Sequence, residues 1–333
     1  MPTLASPAYP TALGRRRFLK NLAGLTAAGL AARGTGSLGG APAPEKRLRI
    51  VVDADTANEI DDAFALARAL MEPRFQVEGI TSAQWHTQEE SPRDTVGLSQ
   101  QLNEELLRVM NRADVPHPIG SNHPLVSAVK PQPSPAAQHI IRKALDTPAG
   151  EKLIVAILGP CTNLASAVLL EPAIIPKVSC HFIGLRHDPK QRLWSRDEFN
   201  TNNDPNALDT LLNTPGLEFH LMTASASQSL VFEKADVDRR LKGRGGVADF
   251  LVRLWDNYDR AWQRRVAPTK ATWVMWDIAL IAAIARPELA NAVTLDAPPG
   301  NLKRPISVWV EIDANRMRED FWTAIERCLA GGR

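Results

Sequence analysis

The chain is short of cysteine, of charge bias and of long apolar runs, and each shortage removes a class of protein. Its three cysteines, Cys161, Cys180 and Cys328, are an odd number with no CxxC pair among them. Neither a disulfide framework nor a zinc site is suggested, and core packing accounts for them. Formal charge is nearly balanced at +2 over 333 residues, and no basic block interrupts the body. That gives no reason to expect nucleic acid as a partner and favours small molecules. With 44% hydrophobic residues the composition is that of a folded globular protein. No internal repeat is visible, and the one proline-rich stretch, KPQPSP from Lys130 to Pro135, reads as a surface loop.

The first segment stands apart. GRRRFLK, from Gly14 to Lys20, precedes the weakly apolar NLAGLTAAGLAA, about 12 residues where a bilayer span needs roughly 20. It resembles a twin-arginine export signal, with Arg15 and Arg16 as the pair and Arg17, Phe18, Leu19 and Lys20 following. The resemblance implies the twin-arginine machinery as a partner and a periplasmic or secreted location. Residues 1–43 are then signal and linker, and residues 44–333 the catalytic domain. Ala41-Pro42-Ala43 has the small-residue character of a cleavage site, but Pro44 follows it, so cleavage and retention both stay open. The signal holds Arg15, Arg16, Arg17, Lys20, Arg33 and no acid, so the remainder is net acidic.

From Leu48 onward, short β-branched runs alternate with longer helical patterns, the signature of a parallel sheet covered by helices. Predicted strands are RIVVDA, FQVEGITS, KLIVAIL, VSCHFIGL, LEFHLMT and ISVWVEI. Predicted helices run from Asp61 to Met71, Thr95 to Asn111, Ala136 to Leu145, Asn163 to Leu170, Pro205 to Leu212, Val247 to Arg265, Asp277 to Ala285 and Glu319 to Leu329. The expected fold is a single Rossmann-like α/β domain with a mostly parallel central sheet flanked by helices. In such sheets ligands bind beyond the carboxyl ends of the strands. The series Phe250, Trp255, Tyr258 and Trp262 falls on one helical face and suits core or subunit packing.

The stretch RIVVDADTANEIDDAFAL puts Asp53, Asp55, Glu59, Asp61 and Asp62 within ten residues, after an apolar run. Asp53 and Asp55 are two apart in an extended segment and share a face. Asp61 and Asp62 open the next helix, with Asn58 placed to cap it. A solvated acidic first turn explains Asp61 and Asp62. It does not explain Asp53 and Asp55, since ending a buried strand on two carboxylates costs roughly several kcal/mol per ion unless something compensates. A cation compensates, and oxygen-only ligands in a flexible set suit calcium better than the strictly octahedral magnesium. The residues alone leave both a cation site and an acidic turn open.

DADTANEIDDAFAL resembles the N-terminal signature of the inosine-uridine preferring nucleoside hydrolases, a DxD at the end of the first strand followed by a DD that opens a helix. The commonest form has three residues between the second and third aspartates; here there are five, Thr56 to Ile60. LGPCTNLASAVLLE from Leu158, DEFNTNNDPNA from Asp197 and MWDIALIAAI from Met275 resemble three later blocks of the same family, in the same order. The resemblance implies calcium-dependent hydrolysis of the N-glycosidic bond of ribonucleosides. It implies a site in which Asp55, Asp62, Asp277 and the main-chain carbonyl of Leu158 hold Ca2+. Asp55 also takes a proton from water, Asp61 meets a ribose hydroxyl, Glu198 the 5′-hydroxyl and Asn200 the ring hydroxyls, with Asp53 supporting its neighbours from behind.

Where many members carry a histidine that protonates the leaving base, this chain has Trp276, as in the purine-preferring branch, where a tryptophan stacks on the base. That tilts the expectation toward purine nucleosides. His86 and Trp85 after one strand, and His187 and Trp194 before the EFN block, are candidates for the same mouth. The family also implies a homo-oligomer, dimer or tetramer. Two alternatives stand beside this reading. VVDADT also resembles the first motif of haloacid dehalogenase-type phosphatases, although no convincing GDxxxD follows. An exported nucleoside- or ribose-binding protein without turnover would keep the same residues.

Overall fold

The computed structural model describes residues 46–86, 91–266 and 269–331; the segment that resembles an export signal lies outside them. The strands are β1 (Leu48–Ala54), β2 (Phe75–Ser82), β3 (Leu153–Ile157), β4 (Val178–Gly184), β5 (Arg186–Asp188), β6 (Leu193–Ser195), β7 (Glu218–Thr223), β8 (Val231–Glu233), β9 (Thr272–Val274), β10 (Ala290–Asp296) and β11 (Pro305–Ile312). Seven of them form one sheet in the order β10-β11-β7-β4-β3-β1-β2. Every pairing in it is parallel except β10 with β11. The pairs β5–β6 and β8–β9 are small antiparallel ribbons.

The central strands are buried on both faces, which is why they read as apolar runs rather than as alternations. β10 escaped the sequence reading for the opposite reason. Its ANAVTLD is mostly exposed, an edge strand with only two large apolar side chains, Val293 and Leu295, to announce it. From β1 the chain steps to β2 on one side and then crosses to β3 on the other. The crevice past the carboxyl ends of β1 and β3 is therefore a topological switch point, the place where open α/β sheets bind ligands.

Three expectations about helices change. The helix Asp61–Leu70 starts without a side-chain cap; Asn58 instead turns back, its N–H donating to the Asp55 carbonyl at 2.7 Å. The helix expected from Val247 to Arg265 is two, Gly246–Asn257 and Ala261–Val266, because Tyr258 is extended. Tyr258 and Arg260, at the break, donate to the carbonyls of Asn58 and Ala57, both at 2.8 Å. The last helix starts at Ala314, ahead of the expected Glu319, with the Asp313 carboxylate accepting from the Arg316 N–H at 3.0 Å.

Every residue of the helix Asp61–Leu70 is buried. Phe64 on it packs against Phe232, Trp255 and Phe321, ring centroids 6.3, 6.1 and 5.7 Å away. Arg68, at 1% exposure, is paired with Glu72 and Asp320, each at 2.7 Å. Phe250, Trp255 and Tyr258 are buried in the same core, while the side chain of Trp262 lies outside the described residues. Cys161 and Cys180 are buried and Cys328 is half-buried, all three free.

Truncating Phe64 leaves a cavity in this aromatic cluster. Phe64→Ala is expected to destabilise by about 3–5 kcal/mol, read as a lower denaturant midpoint; an unchanged midpoint would mean that the helix is not anchored by this ring.

Candidate active site

The crevice is a cavity of about 180 Å³. Asp55 enters it from the end of β1, Asp61 and Asp62 from the first turn of the helix Asp61–Leu70, and Asp277 from the first turn of the helix Trp276–Ala285. Each is buried, between 1% and 4% exposed. The N-termini of two packed helices thus meet at one point, and their positive dipole ends favour the anionic side chains. Asp61 Oδ2 accepts the Asp277 N–H at 3.3 Å, so a carboxylate from one helix helps to cap the other.

The closest trio is Asp61, Asp62 and Asp277, each with an oxygen within 4.8 Å of the others. This differs from the expected set by bringing in Asp61, which backbone N–H groups at the start of the second helix hold there. Asp55 lines the same cavity against the turn after β3. A Cβ on Gly159 would lie 2.8 Å from Asp55 Oδ1, so only glycine admits that approach.

The electrostatics are those of an unneutralised nest. Asp55 Oδ2, Asp62 Oδ1 and Glu59 Oε2 are shielded from solvent and have no hydrogen-bond partner. Burial first, and then neighbouring carboxylates, pushes Asp55, Glu59, Asp62 and Asp277 well above the usual carboxyl range. Burial raises Asp61 to about 7, partly offset by the N–H groups that it accepts. Buried carboxylates must either hold protons or share a cation. Oxygen donors alone, with unfilled lone pairs aimed inward, fit a hard divalent ion.

The rest of the lining is polar, with Asn200, Glu198 and Arg186. Asn200 Nδ2 donates to the carbonyls of Leu158 and Ile183, at 2.6 and 3.1 Å, fixing the turn that carries Leu158. Glu198 caps the helix Phe199–Asn203, accepting from the N–H groups of Asn200 and Thr201 at 3.0 and 2.9 Å. Trp276 closes one side, half-buried.

Asp53 lies behind the cavity. Its Oδ1 accepts from Thr81 Oγ1 at 2.5 Å and from Asn163 Nδ2 at 2.9 Å, tying β1 to β2 and to the helix Thr162–Leu170. His86 is not on the cavity wall; it stacks on His123, centroids 5.5 Å apart, and meets Asn122 Oδ1 at 3.2 Å. Trp85 is fully buried beneath the Arg260 guanidinium, and His187 packs at a tilt against Trp194 on the β5–β6 ribbon. Sequence reasoning assigned no role to Glu59 or Arg186, both on the wall. Glu59 was visible as a further acid beside the DD pair, whereas nothing in the local pattern marked Arg186.

A switch-point cavity with a carboxylate nest on one wall and amide and indole groups on the others defines an α/β enzyme for a small polar substrate. A family profile described as inosine-uridine preferring nucleoside hydrolase matches residues 50–324. The chain belongs to that family and is an N-ribosyl hydrolase, acting on the N-glycosidic bond of nucleosides. The dehalogenase-type alternative falls with this match.

"Probable uridine nucleosidase 2" of Arabidopsis thaliana is 26% identical over 230 residues, 64% of this chain and 70% of that protein. Among solved structures, an inosine-guanosine nucleoside hydrolase superposes with a TM-score of 0.67 at 18% identity, covering 84% of this chain and 99% of that one. A purine-preferring ribonucleoside hydrolase from Gardnerella vaginalis gives 0.62 at 19% identity, with 84% and 99% covered.

Asp53 supplies a test of the buried charge. Burial raises its carboxyl from 3.8 to about 6, so between those values the folded chain binds more protons than the unfolded chain. Stability from this group is therefore lost as pH rises through that window. In chelator, Asp53→Asn should gain stability relative to the parent as pH rises from about 4 to about 6.5, read from denaturant midpoints; a pH-independent difference would refute it.

Proposed function

We propose that the protein is a calcium-dependent ribonucleoside hydrolase that favours purine nucleosides. The observation that carries the cation is the set of shielded, unpartnered oxygens on Asp55 and Asp62 in one cavity with Asp61 and Asp277. Asp55, Asp62, Asp277 and the Leu158 carbonyl would hold the ion, and Asp61 stands close enough to the last two carboxylates to share it. A bound hard cation would acidify water and grip the ribose diol.

The chain's own groups do the rest. Asp55 takes the proton of the attacking water, a role suited to a carboxylate kept out of bulk solvent. Asn200 and Glu198 face the sugar from the opposite wall and restrict its orientation. As the ribose acquires oxocarbenium character, the surrounding carboxylates favour its positive charge. Trp276 has no useful proton to give, and its indole is suited to stacking on a flat bicyclic base. The purine preference rests on that residue.

GRRRFLK supports export through the twin-arginine route to the periplasm or beyond, and the family resemblance supports a homo-oligomer.

Base release from inosine, guanosine, adenosine, uridine and cytidine tests the proposal, with and without chelation of calcium. Purine ribonucleosides should be cleaved fastest, chelation should abolish release, and Asp55→Asn should cost about 10²–10⁴-fold in kcat. Trp276→Ala should cost inosine up to about tenfold in kcat/KM and uridine less. Activity that persists in chelator would refute the calcium dependence. Tight nucleoside binding without base release would mean a binding protein.

A further inference from the structure

The five-residue insert between Asp55 and Asp61 is held from outside at several points. Thr56 Oγ1 donates to Asn103 Oδ1 at 2.6 Å, and the carbonyls of Ala57 and Asn58 accept from Arg260 and Tyr258. The backbone is therefore fixed, and it directs Glu59 to the wall that Asp55, Asp61 and Asp62 also line. The Glu59 carboxylate lies beside the Trp273 indole, and its Oε2 is shielded and unpartnered. Neighbouring cations are committed elsewhere: Arg186 to the Asp197 carbonyl at 3.1 Å, Arg260 to the Ala57 carbonyl and the Trp85 ring, Arg253 to Glu105 at 2.6 Å.

An extra carboxylate among like charges is a liability unless a cation shares the cavity. The unpartnered oxygens of Asp55 and Asp62, 1% and 2% exposed, independently point to one. We infer that Glu59 is a further anionic ligand for the divalent cation, supplied by the insert beyond the Asp55, Asp62, Leu158 and Asp277 set, and that it tightens cation binding. This rests on the cavity being a cation site. Affinity in oxygen-ligand sites is set by charge count and rigidity, and the insert supplies both.

The test is calcium titration by calorimetry on the cation-stripped full chain, with melting temperatures in chelator and in saturating calcium. Glu59→Gln should weaken calcium binding by about tenfold or more. Relieved of repulsion, it should melt above the parent in chelator and below it in calcium, a reversal that a purely structural role would not produce. Glu59→Asp keeps the charge but withdraws it by one methylene, and should also bind calcium more weakly than the parent without the higher melting in chelator. Glu311→Gln, at an exposed acid of β11 outside the site cavity, should bind calcium like the parent. Parent-like affinity in both Glu59 variants, with no reversal, would overturn the inference and leave the cation site standing. A parent that takes up neither calcium nor magnesium would overturn both.

Discussion

The mutual repulsion of carboxylates brought together at the starts of two buried helices is the constraint that orders this molecule. Asp61, Asp62 and Asp277 would separate if they were free to do so. They are held because the helices carrying them are locked in the core, one by Phe64 and Arg68, the other by an almost wholly apolar sequence from Ile278 to Ala285. Hydrophobic burial thus imposes a charge arrangement that water would not permit, which is how a folded chain stores the capacity to bind a cation or to activate a water molecule.

The second wall is built by a different device. Asn200 donates to the carbonyls of Leu158 after β3 and Ile183 in β4, and Asn163 to Asp53 in β1 and Ser82 at the end of β2, so side-chain hydrogen bonds join these strand ends above the apolar core. Amide side chains can serve both a donor and an acceptor at once. Asn163 does so, donating to Asp53 and to the Ser82 carbonyl while accepting from the Ser121 N–H. A cavity lined in this way holds its shape while remaining polar enough for a sugar.

Much of this was legible in the sequence, for identifiable reasons. Buried parallel strands announce themselves as Val- and Ile-rich runs, and Asp55 stands where the first of them ends, with Asp61 and Asp62 opening the next helix, whereas Asp277 was legible only through the family resemblance of the block that carries it. What local pattern carries poorly is the exposed edge and the long-range partner. β10 has little apolar signal, and the break at Tyr258 looks like continuous helix until Asn58, 200 residues earlier, is seen to take its hydroxyl. His86 looked eligible because it follows a strand, but Asn122 and His123, a different turn, engage it. Glu59 was conspicuous as an acid, yet only the anchoring of the insert by Asn103, Tyr258 and Arg260 says where it points.

The ion pair between Arg68 and Asp320 spans 252 residues. It joins the helix that presents Asp61 and Asp62 to the last helix of the chain, and Phe321 packs on Phe64 beside it. The helix start that carries the acidic pair is therefore completed by a segment far downstream. Contacts of such separation form late, after the entropy of closing a long loop has been met. Until the helix Ala314–Leu329 docks, the chain carries an exposed guanidinium and an unburied aromatic face beneath its first acidic motif, so the placing of Asp61 and Asp62 waits on residues far downstream of them.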